Sequence, residues 1–146
     1  MSRTAEKLSE VLQTVPARLA AISEEDAGRK PGNGHWSKKE VLGHLIDSAA
    51  NNHQRFVRGQ FVAHIDLPGY QQEQWVAAQH YGSEPWADLI DLWLQMNRHL
   101  VHIVRAMPAE ALGNTISIGG RPPVTLGFVV DDYLSHLQHH LAQIFE

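Results

Sequence analysis

The sequence predicts an all-α fold, a four-helix bundle. Three observations predict it. Four long segments repeat their apolar residues at helical spacing, Gly- and Pro-rich breaks divide them, and no segment carries a strong strand pattern. The connections between the segments are unequal, which argues for long crossover connections rather than four simple hairpins. At 146 residues the chain is expected to form one domain, 1–146, around one core.

The first helix is expected over about 4–23, with Leu8, Val11, Leu12, Val15, Leu19 and Ile22 on one stripe. Pro16 lies inside it, so a kink or a break is expected there. RKPGNGH then reads as a loop. Ser37-Lys38-Lys39-Glu40 is a capping box, in which the Ser hydroxyl accepts from the Glu40 amide and the Glu carboxylate accepts from the Ser amide. The second helix continues from it through Val41, Leu45, Ala49, Asn52 and Phe56 to about 60 or 63. Leu67-Pro68-Gly69-Tyr70 breaks it, and QQEQWVAAQ suits a short helix in the connection. The third long helix begins near Ser83 or Pro85 and runs to about 107, striped by Leu89, Trp93, Met96, Leu100 and Val104. PAEALGNTISIGGRPPVTL is an irregular connection in which TISI suits one short strand or half a small hairpin. Thr125 is the expected N-cap of the last helix, which runs to about 144.

Composition excludes several function classes. Twelve Lys and Arg against sixteen Asp and Glu give a net charge of −4, with no basic stripe for nucleic acid. No apolar run is long enough to span a membrane, and the polar start MSRTAEKLSE lacks the apolar core of a signal peptide, so a cytoplasmic location is expected. With no Cys, any metal site must be built from His, Asp or Glu. The anomaly is ten histidines.

Helical angle sorts them. On the last helix, with Leu137 as zero, His140 falls near −60° and His136 near −100°, on one flank of the apolar stripe, at about 100° per residue. His139 falls near −160° by the same count and is expected to face solvent. His136 and His140 are spaced i, i+4, so their rings can converge on one ion. On the second helix, with Leu45 as zero, His44 takes the same flank at about −100°. Ser48, Asn51 and Arg55 fall beside it, at roughly −60° to −120°, as pocket-lining or second-layer candidates. Asp47 points further out, near −160°, and His53 lies on the opposite flank. His35, His64, His80, His99 and His102 read as surface or cap residues. Three neutral imidazoles suit zinc, nickel, iron or copper, and three protein ligands with one open position are the catalytic pattern for zinc. A buried imidazole cluster without metal is the other reading of His44, His136 and His140.

Three stretches carry a family resemblance. WSKKEVLGHLID at 36–47, HLQHHLAQI at 136–144 and TVPARL at 14–19 resemble, in this order along the chain, the motifs of the DinB-like superfamily and its YfiT-type metal-dependent hydrolases. The resemblance implies a four-helix bundle of crossover topology, often dimeric, holding a divalent metal through His44, His136 and His140. Zinc or nickel is the expected ion. Leu141 and Ala142 stand where such proteins often carry a basic residue or Gly, which affects the pocket rim rather than the ligands. The implied chemistries are hydrolysis and thiol-dependent transfer or isomerisation, in which an open metal position lowers the pKa of a bound water or a low-molecular-weight thiol.

The expected function is therefore a metal-dependent hydrolase or thiol S-transferase acting on a small electrophilic molecule, as a homodimer, without nucleic-acid or membrane partners. Arg55 is expected either to bind an anionic substrate group or to form a surface salt bridge. Tyr70 and Trp75 are expected to cover the pocket or simply to pack. No Asp or Glu falls at the inferred site, so no general base is nominated. The alternative is a non-catalytic, stress-related helical dimer that binds a metal or ligand. A DNA-binding protein is a weak third reading, given the acidic balance.

Overall fold

The structure, a computed structural model, describes residues 2–146. Four long helices form the bundle: α1 (Ser2–Ala20), α3 (Lys38–Arg58), α5 (Trp86–Ala106) and α6 (Leu126–Ile144). Two short helices, α2 (Glu24–Gly28) and α4 (Gln72–Gln79), lie in the connections, and so do β1 (His64–Leu67), β2 (Thr115–Ile118) and β3 (Val124–Thr125). α3 is the central helix, packed on α5 and α6, and α1 closes the bundle against α5. The core stripes meet there through Leu42, Leu45 and Phe56 of α3, Leu89, Trp93 and Leu100 of α5, and Leu137 of α6.

The helix ends follow local chemistry. Ser37 and Glu40 form the reciprocal cap, with Ser37 Oγ accepting from Glu40 N at 3.2 Å and Glu40 Oε1 accepting from Ser37 N at 3.0 Å. Thr125 Oγ1 caps α6 by accepting from Phe128 N at 3.1 Å. Pro85 precedes the first residue of α5.

Two expectations are corrected, and of the kink or break expected at Pro16 the break is removed. α1 runs through Pro16 without a break, because Val15 and Leu19 on either side are buried and hold the helix while one backbone hydrogen bond is forgone. α1 stops at Ala20, and Ser23 instead caps the unpredicted α2, accepting from Asp26 N at 3.1 Å ahead of Glu24, Glu25 and Asp26 in the first turn. α3 ends at Arg58 rather than near 60 or 63, followed by Gly59, whose neighbourhood is crowded by Ile116 and Leu126.

The two long connections are tied together by a small sheet. TISI is indeed half a hairpin, as β2 pairs antiparallel with β3 around Gly119 and Gly120, both at positive φ. It also pairs in parallel with β1, which was not foreseen, with His64 opposite Thr115 and Leu67 opposite Ile118. A parallel pair needs a crossover, and α4 and α5 supply it. The sheet sits where α3 ends and α6 begins, since Asn114 Nδ2 donates to Gly59 O at 2.9 Å and Leu126 N to Asn114 O at 2.7 Å. The opposite end of the α3–α6 pair is fastened by Lys38 Nζ, which donates to the Ile144 carbonyl.

Candidate metal centre

The fastened end of the α3–α6 pair carries the histidines. His44 lies in the second turn of α3 and is fully buried, while His136 and His140 lie one turn apart on α6 and are half-buried. Their rings form a triangle, with centroids 5.0 Å (His44–His136), 4.7 Å (His44–His140) and 4.5 Å (His136–His140) apart. The rings stand nearly edge to face, at 73° to 79°. One nitrogen from each lies within 4.8 Å of the others, and no other His, Asp or Glu joins them at this spacing among the described residues.

The donor set fits a divalent ion. His44 Nε2 and His136 Nε2 face each other at 3.1 Å. Two nitrogens bound tetrahedrally at ~2.0–2.1 Å from one ion stand about 3.3–3.4 Å apart, so little adjustment is needed. Burial, and then the neighbouring histidines, pull the pKa of His44 down to about 4, and burial does the same for His136 ahead of His140's charge. Both are neutral imidazoles at neutral pH, the form that ligates. His140 Nδ1 donates to Gln143 Oε1 at 2.8 Å, which leaves its Nε2 lone pair free. Gln143 is fixed in turn, as its Nε2 donates to His139 Nε2 at 3.4 Å. The His44 ring packs on Trp36 at 5.1 Å, and its Nδ1 is buried without a protein partner among the described residues.

Two clefts reach this cluster. The larger, about 1180 Å³, runs along the α3–α6 groove and reaches His136. Ser48, Asn51 and Arg55 all line it, together with Tyr70 and Trp75 from the α3–α5 connection, whose rings lie 5.2 Å apart. The second, about 950 Å³, lies beyond Trp36 and reaches His140 and Gln143. The N-terminal turn of α4 divides them, with Gln72 and Gln74 facing the first and Glu73 the second.

One residue falls elsewhere than its angle placed it. Asp47 was expected to point outward but is buried, its Oδ1 accepting from Tyr81 OH at 2.6 Å and Gln79 Nε2 at 2.8 Å. Burial raises its pKa, and the two hydrogen bonds pull the other way. The cause is the crossover: α4 and the 3₁₀ turn at Tyr81 cover the outer face of α3, so Val41 to Ala49 is buried all round. A carboxylate also stands nearer the site than expected, since Asp132, one turn before His136, lines the larger cleft. Of the two readings of Arg55, the salt bridge is not formed: no carboxylate lies within 4.0 Å of it among the described residues, and its NH1 donates to Asn52 Oδ1 at 3.4 Å.

The remaining histidines take other places. His139 is exposed, as its angle implied. His64 bonds Thr115 and Asp66 on the sheet edge, and His80 ends α4 in a left-handed turn at φ 53°. His53, His99 and His102 are near neighbours on α3 and α5, at 5.4 Å and 6.3 Å between centroids, but not at ligand spacing. Reading by angle gave Gln143 no role, although its i+3 spacing from His140 was visible.

Comparison with known proteins follows the same lines. The sequence profile of the DinB superfamily matches residues 7–144. The chain is 23% identical over 124 residues to a protein of Oceanobacillus iheyensis named "Putative metal-dependent hydrolase OB0413", across 85% of this chain and 71% of that one. It superposes on YfiT from Bacillus subtilis, described as "a probable metal-dependent hydrolase with an unusual four-helix bundle topology", with a TM-score of 0.79 at 20% identity, covering 97% of this chain and 83% of that one. The fold is the YfiT four-helix bundle, and the chain carries a small three-stranded sheet. No helix among the described residues is long and apolar enough to cross a membrane.

Proposed function

The chain belongs to the DinB superfamily, and on that premise we propose that it is a metal-dependent enzyme, a hydrolase of a small electrophilic substrate, with His44, His136 and His140 as the ligands. The observation that carries this reading is the convergence of three imidazoles reached by two open clefts, with no other His, Asp or Glu at ligand distance among the described residues. Three ligands and an open approach are the catalytic rather than the structural arrangement. A divalent ion held there, zinc or nickel by preference, would act as a Lewis acid and activate a water or thiol for attack near neutral pH.

The residues around it have separable tasks. Burial keeps His44 and His136 neutral and ready to ligate. Gln143 accepts the Nδ1 proton of His140, sets the ring's tautomer and aims Nε2 inward. Trp36 excludes water from the His44 side of the cluster. Lys38 holds the end of α6 against the start of α3, so the ligands from the two helices keep their spacing.

A second reading has its own support. Hydrolysis needs room for one organic substrate and a water, whereas group transfer to a thiol needs room for two organic molecules. Two clefts, one reaching His136 and the other His140, leave room for a thiol beside the substrate and support thiol-dependent S-transfer as the second reading.

The first test is metal content by plasma mass spectrometry on untagged protein, beside folded His44→Ala and His136→Ala variants. One equivalent of metal, lost in both variants, is the expected result. A screen of small esters and alkyl halides, with and without added thiols, then separates hydrolase from transferase. Metal-free wild type, even after reconstitution near pH 7, would sink the proposal and leave a non-catalytic binding bundle.

A further inference from the structure

The larger cleft is not lined evenly. His136 stands at one end, and Arg55 of α3 stands toward the other, near the start of α6. Between them α3 presents Ser48, Asn51 and Asn52, so His44, Ser48, Asn51 and Arg55 follow i, i+4, i+7, i+11 on one polar face. Eleven residues separate His44 from Arg55, about 16 Å between Cα atoms along the axis. The opposite wall is partly apolar, with Trp75, Phe128 and Val129.

Arg55 is the unusual member of this wall. It is half-buried, and burial presses against its charge. Such a guanidinium ordinarily carries a carboxylate fork to fork. Among the described residues its side-chain hydrogen-bond partner is the neutral amide of Asn52, at 3.4 Å, and the Asp132 carboxylate favours its charge only from a longer distance. The other charged groups facing the cleft are Arg121 on the β2–β3 turn and Asp132 on α6, both exposed and neither within ion-pair distance of Arg55.

We infer that Arg55 seats the carboxylate of an elongated, partly apolar substrate whose electrophilic end lies toward His136. The inference rests on the function proposed above for the direction of the substrate, but not for the presence of the anion seat. A carboxylate is favoured over a phosphate by charge. One half-buried guanidinium balances a single negative charge, and a dianion would leave the surplus facing Asp132. The three turns between the histidines and Arg55 set the length a substrate seated on Arg55 needs for its electrophilic end to reach His136.

The test is a binding experiment on chelator-treated, ¹⁵N-labelled protein near pH 7. The probes are 4-phenylbutyrate, its neutral isostere 4-phenylbutyramide, and phenyl phosphate. The expected result is that the carboxylate binds at least about tenfold more tightly than the amide and shifts the Arg55 Nε–H resonance, as a charge-assisted pair requires. Arg55→Gln should abolish the preference, Arg55→Lys should keep its sign at about a third of its size or less, and Arg121→Gln should leave it within about twofold. Equal binding of acid and amide, no binding of either, tighter binding of phenyl phosphate, or a preference that survives Arg55→Gln would each overturn the inference. Should Arg55→Gln fail to fold by circular dichroism, the resonance shift in the wild type and the Arg55→Lys ratio decide. Metal content of the same protein, measured before the chelator is added, separates the two proposals. No metal with the anion preference intact sinks the enzyme reading alone, and metal without the preference sinks this one alone.

Discussion

Gly43→Ala should destabilise this protein, against the helix scale. Gly43 sits inside α3, and exchanging Gly for Ala in a helix interior ordinarily gains about 0.8–1.0 kcal/mol. Here a Cβ would lie 2.1, 2.4 and 2.5 Å from three atoms of the Tyr81 ring, closer than any real contact allows. Tyr81 is buried, so its ring cannot swing out freely. Overpacking of this kind costs about 1–3 kcal/mol. A displaced ring also lengthens the 2.6 Å bond to Asp47, and a buried carboxylate that loses a partner costs about 1–3 kcal/mol more. Setting these against the propensity gain leaves a net loss of about 1–5 kcal/mol. With a urea slope near 2 kcal/mol/M, a loss in the middle of that range moves the midpoint down by about 1.5 M. Urea unfolding followed by far-ultraviolet circular dichroism measures it. The Tyr81→Ala background supplies the control: there the new methyl enters vacated space, and Gly43→Ala should become neutral or stabilising by up to about 1 kcal/mol. A Gly43→Ala protein as stable as the wild type, or the same loss in both backgrounds, would refute the account of Tyr81 as the cover on α3.

Two further outcomes are expected. His44 and His136 hold folded pKa values near 4, below the ordinary value of 6.5, so between those limits the unfolded chain binds more protons than the folded one. The metal-free protein should therefore be most stable above about pH 6.5 and lose stability as the pH falls toward 4, and the loss should shrink in His136→Leu; a urea midpoint that is flat over this window would contradict the burial of the two rings. Gln143→Leu removes the acceptor for His140 Nδ1 and should weaken metal binding about 10–100-fold in competition with a chromogenic chelator, while leaving urea stability within about 0.5 kcal/mol, because Gln143 is exposed; unchanged metal affinity would remove Gln143 from the site.

What was legible in the sequence and what was not divides along one physical line. The histidines were legible because helical angle is a local property. His136 and His140 share a flank at i, i+4, His44 takes the matching flank of α3, and nothing beyond the two helix axes is needed to bring them together. The caps at Ser37 and Thr125 were legible for the same reason, since their partners lie three residues away. The acidic first turn after Ser23 is an equally local signal, but α2 is only five residues long, too short for a helical period to show. Asp47 failed for a different reason. Its angle was read against a bundle whose outer face meets water, and in this fold the α3–α5 connection covers that face. β1 failed likewise, because HIDL has no pattern of its own and becomes a strand only through a partner fifty-one residues away.

That distant pairing bears on function as much as on fold. Joining β1 to β2 fastens both long connections at the end of the bundle where α3 finishes, so the chain must return across α3 before α5 begins. The return path lays α4 and Tyr81 over α3 and places Tyr70 and Trp75 above the groove it shares with α6. A bundle of four simple hairpins would leave that groove shallow and wet. The crossover makes it a walled cleft, and the first turn of α4 makes it two. The three histidines come from the helices, but the space in which they can act comes from the connections. Substitutions in the 68–75 segment should therefore alter substrate choice more than metal content, and measuring both on Trp75→Ala would distinguish a wall of the cleft from a prop for the ligands.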